Sequence, residues 1–222
     1  MTDSAPIEAV CFDLDDTLFD FTEYVRAGLL RAADHVEERT GLRLHDELVA
    51  LYFEEGVTSG TFDRLVARHV LPPSIVPDLV EAYHDNDGWI TPYPGARAVL
   101  DELGARYRLG LLTDGRNGRE KLARLGLADR FDAVVVAHGR DFSKPDPEAF
   151  ERVLDHLGVE PAATVYVGDH PYLDVYGAKR LGMRTVRLRR GRYAGEPSHP
   201  AADPDLELRD LDGLLDLLAV EA

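Results

Sequence analysis

The sequence has a single cysteine, Cys11, so no disulfide can form within the chain. So few cysteines are typical of a reducing compartment, and Cys11 lies in an apolar stretch where we expect a small core residue. No run of residues is long and apolar enough to cross a bilayer. The opening residues Met-Thr-Asp-Ser-Ala-Pro lack the basic region and apolar core of a secretion signal. We therefore expect a cytoplasmic protein with no membrane partner.

Positive charge is also scarce. The chain has 25 Lys and Arg residues against 41 Asp and Glu residues, which gives a formal net charge of -16. Such an acidic chain is not expected to bind nucleic acid, whose phosphates attract basic proteins. Lys121, Lys144 and Lys179 are the only lysines in the sequence. An anionic substrate would therefore need a local positive site, built from a metal ion or from selected basic residues.

Carboxylates cluster directly after the first apolar stretch. Ala9–Phe12 predicts a short buried strand, and Asp13, Asp15 and Asp16 follow it. In an open α/β sheet, ligands bind at this end of the strands. Clustered carboxylates repel one another and need a cation, and oxygen ligands suit Mg²⁺. Asp13 is a candidate nucleophile and Asp15 a candidate proton-transfer group, whereas the alternative interpretation is an acidic turn after a strand.

The sequence pattern divides the chain into two regions. Residues 20–91 show helical periodicity and no convincing strand, and Pro92-Tyr93-Pro94-Gly95 after them predicts a hinge or turn. Strand and helix patterns then alternate to the end of the chain, which implies right-handed crossovers and a mainly parallel sheet. We expect an α/β core, residues 1–19 and 92–222, with the helical region inserted after its first strand. The later strands are predicted at residues 109–113, 133–137, 164–167, 184–188 and 206–208.

Polar side chains recur where other predicted strands end. Thr113 and Asp114 end one strand, Lys144 lies on a loop, and Asp169 ends another strand with Asp174 five residues later. The carboxyl ends of parallel strands share one edge of a sheet, so these groups are expected to converge with the first acidic cluster. Each residue alone has a simpler explanation: a turn threonine, a solvated lysine, or an aspartate in the first turn of a helix.

Three further signals are weaker. His138 and His170 follow predicted strands, but neither has a second imidazole at the spacing of a zinc site. Arginines recur between Arg184 and Arg192, mixed with strand residues. We interpret this basic run as a solvated edge rather than as a binding patch.

Taken together, these motifs resemble the haloacid dehalogenase superfamily of phosphohydrolases. The first is Asp13-Leu14-Asp15-Asp16-Thr17-Leu18, the second Thr113, the third Lys144 in Lys-Pro-Asp-Pro, and the fourth Gly168-Asp169 with Asp174. The resemblance covers nearly the whole chain and favours the small-molecule phosphatase branch. It implies a Rossmann-like, three-layer α/β/α core with a type-one helical cap at residues 20–91.

The resemblance also implies the roles of the phosphate-binding residues. Asp13 would attack phosphorus to form an aspartyl-phosphate, and Asp15 would protonate the leaving alcohol and then activate water. Thr113 and Lys144 would hold the phosphoryl oxygens. Asp114 departs from the family, which usually has Asn here, so we expect only its backbone N–H to face the phosphate. Dehalogenating members lack an aspartate at the position of Asp15, so its presence favours phosphate chemistry.

A magnesium site is implied by the same resemblance. Asp13, Asp169 and the backbone carbonyl of Asp15 would bind Mg²⁺, with Asp174 in support. The expected substrate is a small phosphorylated metabolite, and the protein would be a monomer or a homodimer. Within the predicted cap and its entry, Phe19, Tyr24, His84 and Trp89 are candidate specificity residues, although cap packing is the favoured explanation for each of them.

Two alternative functions remain open from the sequence. A phosphosugar mutase of the same family would return the phosphoryl group from the aspartyl-phosphate to a sugar. A non-hydrolytic receiver module also combines acidic residues, a Thr and a Lys around a phospho-aspartate. The receiver, however, has no helical insertion, and it places the phosphorylated Asp on a different strand from its acidic pair. Asp13 and Asp15 share one loop here, which favours the phosphatase.

Overall fold

The computed structural model describes the backbone of residues 6–220. These residues form two compact units. The α/β unit contains the chain up to Asp20 and again from Thr91 onward, and the helical unit is Phe21–Ile90. Among the residues described, no helix combines the length and the apolar character needed to cross a membrane.

The α/β unit is built on a six-stranded sheet in which every pair of neighbouring strands is parallel. The strand order is β3-β2-β1-β4-β5-β6, so the chain winds outward in both directions from β1. This arrangement confirms the predicted Rossmann-like fold with helices on both sides of the sheet. The strands are β1 (Ala9–Phe12), β2 (Arg108–Thr113), β3 (Ala133–Val136), β4 (Thr164–Gly168), β5 (Arg184–Leu188) and β6 (Leu206–Leu208).

The central strands are buried on both faces, which explains their continuous apolar sequences. Cys11 on β1 is fully buried, and burial raises the pKa of its thiol to about 12, so it is the small core residue expected from the sequence. Gly110 on β2 leaves room for it, because a Cβ there would lie 2.8 Å from Cys11 Sγ. On the same face of the sheet, Phe150 packs edge-to-face against Tyr166 with ring centroids 5.0 Å apart.

Helices connect the strands of the α/β unit. They are α5 (Ala96–Gly104), α6 (Gly118–Leu125), α7 (Pro147–Leu157), α8 (Gly177–Arg180) and α9 (Gly213–Val220), numbered after the four helices of the other unit. One helical segment is irregular. A π-helical turn over Pro171–Tyr176 is followed by the short α8. The wider turn places Asp174 beside β4, as described below.

The helical unit contains α1 (Phe21–Thr40), α2 (His45–Phe53), α3 (Thr61–Arg68) and α4 (Val76–His84). Its core is formed by apolar residues at helical spacing, including Val25, Leu29 and Val36 of α1. Helices α1 and α4 approach closely at Gly28, where a Cβ would lie 2.5 Å from the Tyr83 ring. The unit therefore has a hydrophobic core of its own.

Candidate active site

The predicted site residues of the sheet lie at its carboxyl edge. Asp13 directly follows β1, Thr113 ends β2, and Asp169 directly follows β4. The N–H of Asp13 donates a hydrogen bond of 2.9 Å to the carbonyl of Val167, which extends the pairing of β1 with β4 by one residue. Strands β1 and β4 are neighbours at the point where the strand order reverses, and open α/β sheets bind ligands there.

Lys144 joins two carboxylates in the interior of the site. Its Nζ donates hydrogen bonds of 2.6 Å to Asp13 Oδ1 and 2.7 Å to Asp174 Oδ1, and all three side chains are buried. Burial alone would lower the pKa of Lys144, but the two carboxylates raise it well above its usual value. Lys144 is therefore a fixed cation beside the candidate nucleophile, not the solvated lysine of the simpler explanation.

Asp174 is held by donors on several sides. The N–H of His170 donates a 3.0 Å hydrogen bond to Asp174 Oδ2, and the Tyr166 hydroxyl lies 3.4 Å from Asp174 Oδ1. A Cβ on Gly168 would come within 2.5 Å of the same carboxylate, so the turn after β4 needs a glycine at this position. Asp174 consequently has a fixed position from which it orients Lys144.

Asp13, Asp169 and Asp174 form a candidate metal site. One carboxylate oxygen from each lies within 4.8 Å of the other two, and all three residues are buried. Asp169 Oδ2 is buried with no hydrogen-bond partner. Burial raises the pKa of Asp13 to about 7 and that of Asp169 to about 9, and the neighbouring carboxylates add to both shifts. A bound cation would offset the free-energy cost of keeping these buried carboxylates ionised. An all-oxygen donor set suits a hard divalent ion such as Mg²⁺.

The Asp15 side chain is not part of this carboxylate cluster, and the predicted metal contact of Asp15 is through its backbone carbonyl. Its Oδ1 accepts a 2.6 Å hydrogen bond from Lys121 Nζ. Lys121 lies on α6 and is only 1% exposed. Sequence reasoning did not assign Lys121 to the site. The available signal was the scarcity of lysine, which marked each of the three for attention.

The loop after β2 combines Thr113, Asp114 and Gly115. Thr113 is buried, and its Oγ1 accepts a 3.0 Å hydrogen bond from the N–H of Gly115. Asp114 Oδ1 accepts a 3.1 Å hydrogen bond from the backbone N–H of Lys144. Burial raises the pKa of Asp114 above its usual value. The Asp114 side chain is thus engaged with the Lys144 backbone.

The two histidines considered from the sequence have different surroundings. His170 Nδ1 accepts hydrogen bonds from the N–H groups of Tyr172 and Leu173, at 3.1 and 3.2 Å, so the imidazole caps the π-helical turn. Burial lowers the pKa of His170, which favours the neutral form that this cap requires. His138 is exposed. Neither environment resembles a zinc site.

The basic run from Arg184 to Arg192 is not simply the solvated edge that we predicted. Arg187 is fully buried, and its Nε donates a 3.2 Å hydrogen bond to the backbone carbonyl of Asp169. Its Nη2 donates to the carbonyls of Tyr193 and Glu196, at 2.8 and 3.0 Å. The prediction was wrong for Arg187, because a strand covered on both faces can bury a guanidinium where carbonyl acceptors meet it.

Asp16 belongs to the first motif but not to the candidate metal cluster. Its backbone has a φ of 59°, and its carboxylate is buried and accepts hydrogen bonds of 3.3 Å from the N–H and Nε of Arg192. A Cβ on Gly191 would lie 2.3 Å from the Asp16 carboxylate. The segment after β5 therefore packs directly against the turn that carries Asp13 and Asp15.

The candidate specificity residues named from the sequence differ in how far they are buried. Phe19 is fully buried in the α/β unit. Within the helical unit, Tyr24 is buried and its hydroxyl lies 3.3 Å from the His84 carbonyl and 3.4 Å from His84 Nδ1. Trp89 is 88% exposed. Packing accounts for Phe19 and Tyr24, whereas Trp89 is open to solvent.

Known proteins match this chain over most of its length. Residues 7–182 match the model of the haloacid dehalogenase-like hydrolase family. Glyceraldehyde 3-phosphate phosphatase of Methanopyrus kandleri is 36% identical over 226 residues, which span 96% of this chain and 97% of the relative. Phosphoserine phosphatase of Thermus thermophilus is 37% identical over 69% of this chain and 64% of its own length.

Solved structures of the same family match the fold of this chain over nearly its whole length. A haloacid dehalogenase-family phosphatase from Thermococcus onnurineus is 27% identical with a TM-score of 0.66, and the match covers 96% of this chain and 98% of that one. A 2-haloacid dehalogenase from Pseudomonas syringae is 25% identical with a TM-score of 0.72, over 97% of this chain and all (100%) of that one. On its sequence and its fold, the chain belongs to the haloacid dehalogenase-like hydrolase family.

Proposed function

We propose that this hydrolase, a phosphatase like its relatives, cleaves the phosphate monoester of a small metabolite through an aspartyl-phosphate on Asp13, with Mg²⁺ as cofactor. The observation that carries the proposal is the buried arrangement of Asp13, Lys144 and Asp174, in which one ammonium contacts both carboxylates. The relatives named above act on phosphorylated metabolites according to their names, which supports the same substrate class here.

In the first step, an oxygen of Asp13 attacks phosphorus and the bond between phosphorus and the leaving alcohol breaks. Lys144, beside Asp13, neutralises charge on the phosphoryl oxygens, and the Thr113 hydroxyl with the backbone N–H of Asp114 binds them. Phosphoryl transfer depends on in-line positioning and charge neutralisation, which these groups supply. Asp15 donates its proton to the departing alcohol oxygen.

In the second step, water hydrolyses the aspartyl-phosphate. Asp15, now ionised, accepts a proton from the water molecule. The water oxygen attacks phosphorus, and the bond from phosphorus to the Asp13 oxygen breaks. Inorganic phosphate leaves, and Asp13 is again a free carboxylate while Asp15 is again protonated. Dividing hydrolysis into two displacements lets one residue serve as acid and then as base.

Asp13 and Asp169 are the proposed ligands of Mg²⁺, with Asp174 in support and the backbone carbonyl of Asp15 as a further ligand. The unpartnered Asp169 Oδ2 and the burial of the three carboxylates support this assignment. The ion would neutralise charge on the carboxylates and on the phosphoryl group. We further propose that the helical unit, Phe21–Ile90, serves as the cap domain that selects the substrate.

The decisive experiment is a screen of phosphorylated metabolites with Mg²⁺ that measures released phosphate. It should include glyceraldehyde 3-phosphate, phosphoserine and p-nitrophenyl phosphate, with EDTA and the Asp13→Asn variant as negative controls. We expect turnover of at least one small monoester, lost in both controls. An isomerised sugar phosphate without free phosphate would favour a mutase, and a stable phosphoprotein without turnover would favour the receiver module.

A further inference from the structure

Lys121 is a buried cation that the proposed mechanism does not use. It lies on α6, directly after the Thr113 loop, and its side chain is 2% exposed. Its Nζ contacts Asp15 Oδ1 at 2.6 Å and lies 5.9 Å from the centroid of the Phe19 ring. Placing an ammonium in such a position is costly unless a carboxylate pairs with it. Asp15 provides the acceptor through Oδ1, so Oδ2 is the oxygen that would carry the proton in transfer to the alcohol.

The pair is asymmetric in its access to solvent. The Asp15 side chain is 17% exposed, whereas Lys121 is almost fully enclosed. Gly115 lies beside both members of the pair, since a Cβ there would lie 2.4 Å from Asp15 Oδ2 and 3.1 Å from Lys121 Nζ. The absence of a side chain at Gly115 therefore leaves room for the ion pair, in which Asp15 is the more exposed partner. A substrate would reach Asp15 and not Lys121.

We propose that Lys121 is a positioning residue that holds Asp15 in place to protonate the leaving alcohol, and that it adapts the site to alkyl phosphates. This inference rests on the proposed function, in which Asp15 is the proton donor. An alkoxide leaves poorly and needs a proton in the transition state, whereas p-nitrophenolate leaves well without one. Precise placement of Asp15 therefore matters for alkyl esters and much less for aryl esters.

The experiment compares two substrates in Lys121→Met, which keeps the length of the side chain and removes its charge. The quantity is kcat/KM, because it reports the step in which the alcohol leaves. We expect kcat/KM for glyceraldehyde 3-phosphate to fall about tenfold or more, and that for p-nitrophenyl phosphate to fall less than about threefold. Lys179→Met is the matched control, since Lys179 is paired at the surface with Asp205, and it should change neither value.

A double-mutant cycle tests whether Lys121 acts through Asp15. Asp15→Asn alone should show the same preference for the aryl ester, and adding Lys121→Met should cause no further loss. Equal losses for both esters in Lys121→Met, or a further loss in the double variant, would overturn the inference. If Asp15→Asn itself shows no leaving-group preference, the proposed role of Asp15 fails instead. Should Lys121→Met not fold, as judged by thermal unfolding, Lys121→Gln takes its place in the cycle.

Discussion

The backbone N–H of Lys144 donates a hydrogen bond of 3.1 Å to Asp114 Oδ1. This contact gives the Asp114 side chain a role as a hydrogen-bond acceptor, which Asn, the residue that the family resemblance leads us to expect here, could also fill. The carboxylate is occupied as an acceptor for the loop that carries Lys144. By fixing the backbone of Lys144, this hydrogen bond helps to position the Lys144 ammonium that contacts Asp13.

The first prediction concerns Asp114→Asn. The amide oxygen of Asn can accept the same hydrogen bond, and the substitution removes a negative charge close to the phosphate. We expect KM to fall by about two- to tenfold, which corresponds to roughly 0.4–1.4 kcal/mol, with little change in thermal stability. Asp114→Ala, which has no acceptor, should lower kcat because the Lys144 loop loses a support. An increased KM in Asp114→Asn would show that the carboxylate is needed as a charge.

The second prediction concerns the nucleophile. Asp13→Asn should reduce phosphate release from p-nitrophenyl phosphate by at least about 10³-fold, because an amide cannot form the phospho-enzyme. Circular dichroism should show an intact fold, since Asn keeps an acceptor for Lys144. The exposed Asp203→Asn is the matched control and should retain full activity. Substantial activity in Asp13→Asn would remove Asp13 from the chemistry.

The third prediction links pH, metal and stability. The pKa values of Asp13 and Asp169, about 7 and about 9, lie above the ordinary range of aspartate, so the folded protein binds protons more tightly than the unfolded chain. In EDTA, their contribution to stability is therefore present at low pH and is lost as the pH rises through those values. Mg²⁺ competes with the protons, so the stabilisation that it causes should grow over the same range.

Thermal unfolding at pH 6 and pH 9, with EDTA and with Mg²⁺, measures both effects. Asp169→Asn supplies the control, because it removes one titrating carboxylate and one metal ligand. In EDTA its unfolding temperature should vary less with pH than that of the wild type, and Mg²⁺ should stabilise it less. Equal stabilisation of the two proteins by Mg²⁺ at pH 9 would exclude Asp169 as a ligand.

The fourth prediction concerns Arg187→Met. Three backbone carbonyls lose their guanidinium donor, including that of Asp169, so we expect a loss of about 2–4 kcal/mol in the free energy of unfolding. Chemical denaturation measures this loss, and the Mg²⁺ dependence of activity should shift to higher concentrations because the Asp169 loop is less constrained. Arg189→Met, at a partly exposed position, should cost about 1 kcal/mol or less. Similar losses in both variants would contradict a special role for Arg187.

The sequence was sufficient to predict the sheet and the convergence of the candidate site. Apolar stretches such as Ala9–Phe12 identify strands, and the carboxyl ends of parallel strands share an edge, so Asp13 and Asp169 were expected to meet. Lys144 and Asp174 were expected at the same edge, their roles came from the family resemblance, and the structure places the two in contact with one another. The catalytic roles of these residues stay predictions until the variants are measured.

The remaining features depend on contacts between distant parts of the chain. Lys121 and Asp15 are separated by 106 positions, and no local pattern links them. The burial of Arg187 requires acceptors from the Asp169 loop and from the segment at Tyr193, which sequence periodicity does not reveal. Each hydrogen bond of a π-helical turn spans five residues where that of an α-helix spans four, too small a change for a hydrophobic pattern to detect.

The burial of Cys11 has a practical consequence for chemical labelling. Thiol-directed dyes need an accessible thiolate, and this thiol is fully enclosed with its pKa raised to about 12. A single cysteine introduced into each of the two units would therefore carry the fluorophores of an energy-transfer pair without background from the native thiol. Distances between the α/β unit and the helical unit can thus be followed during turnover in an otherwise unaltered chain.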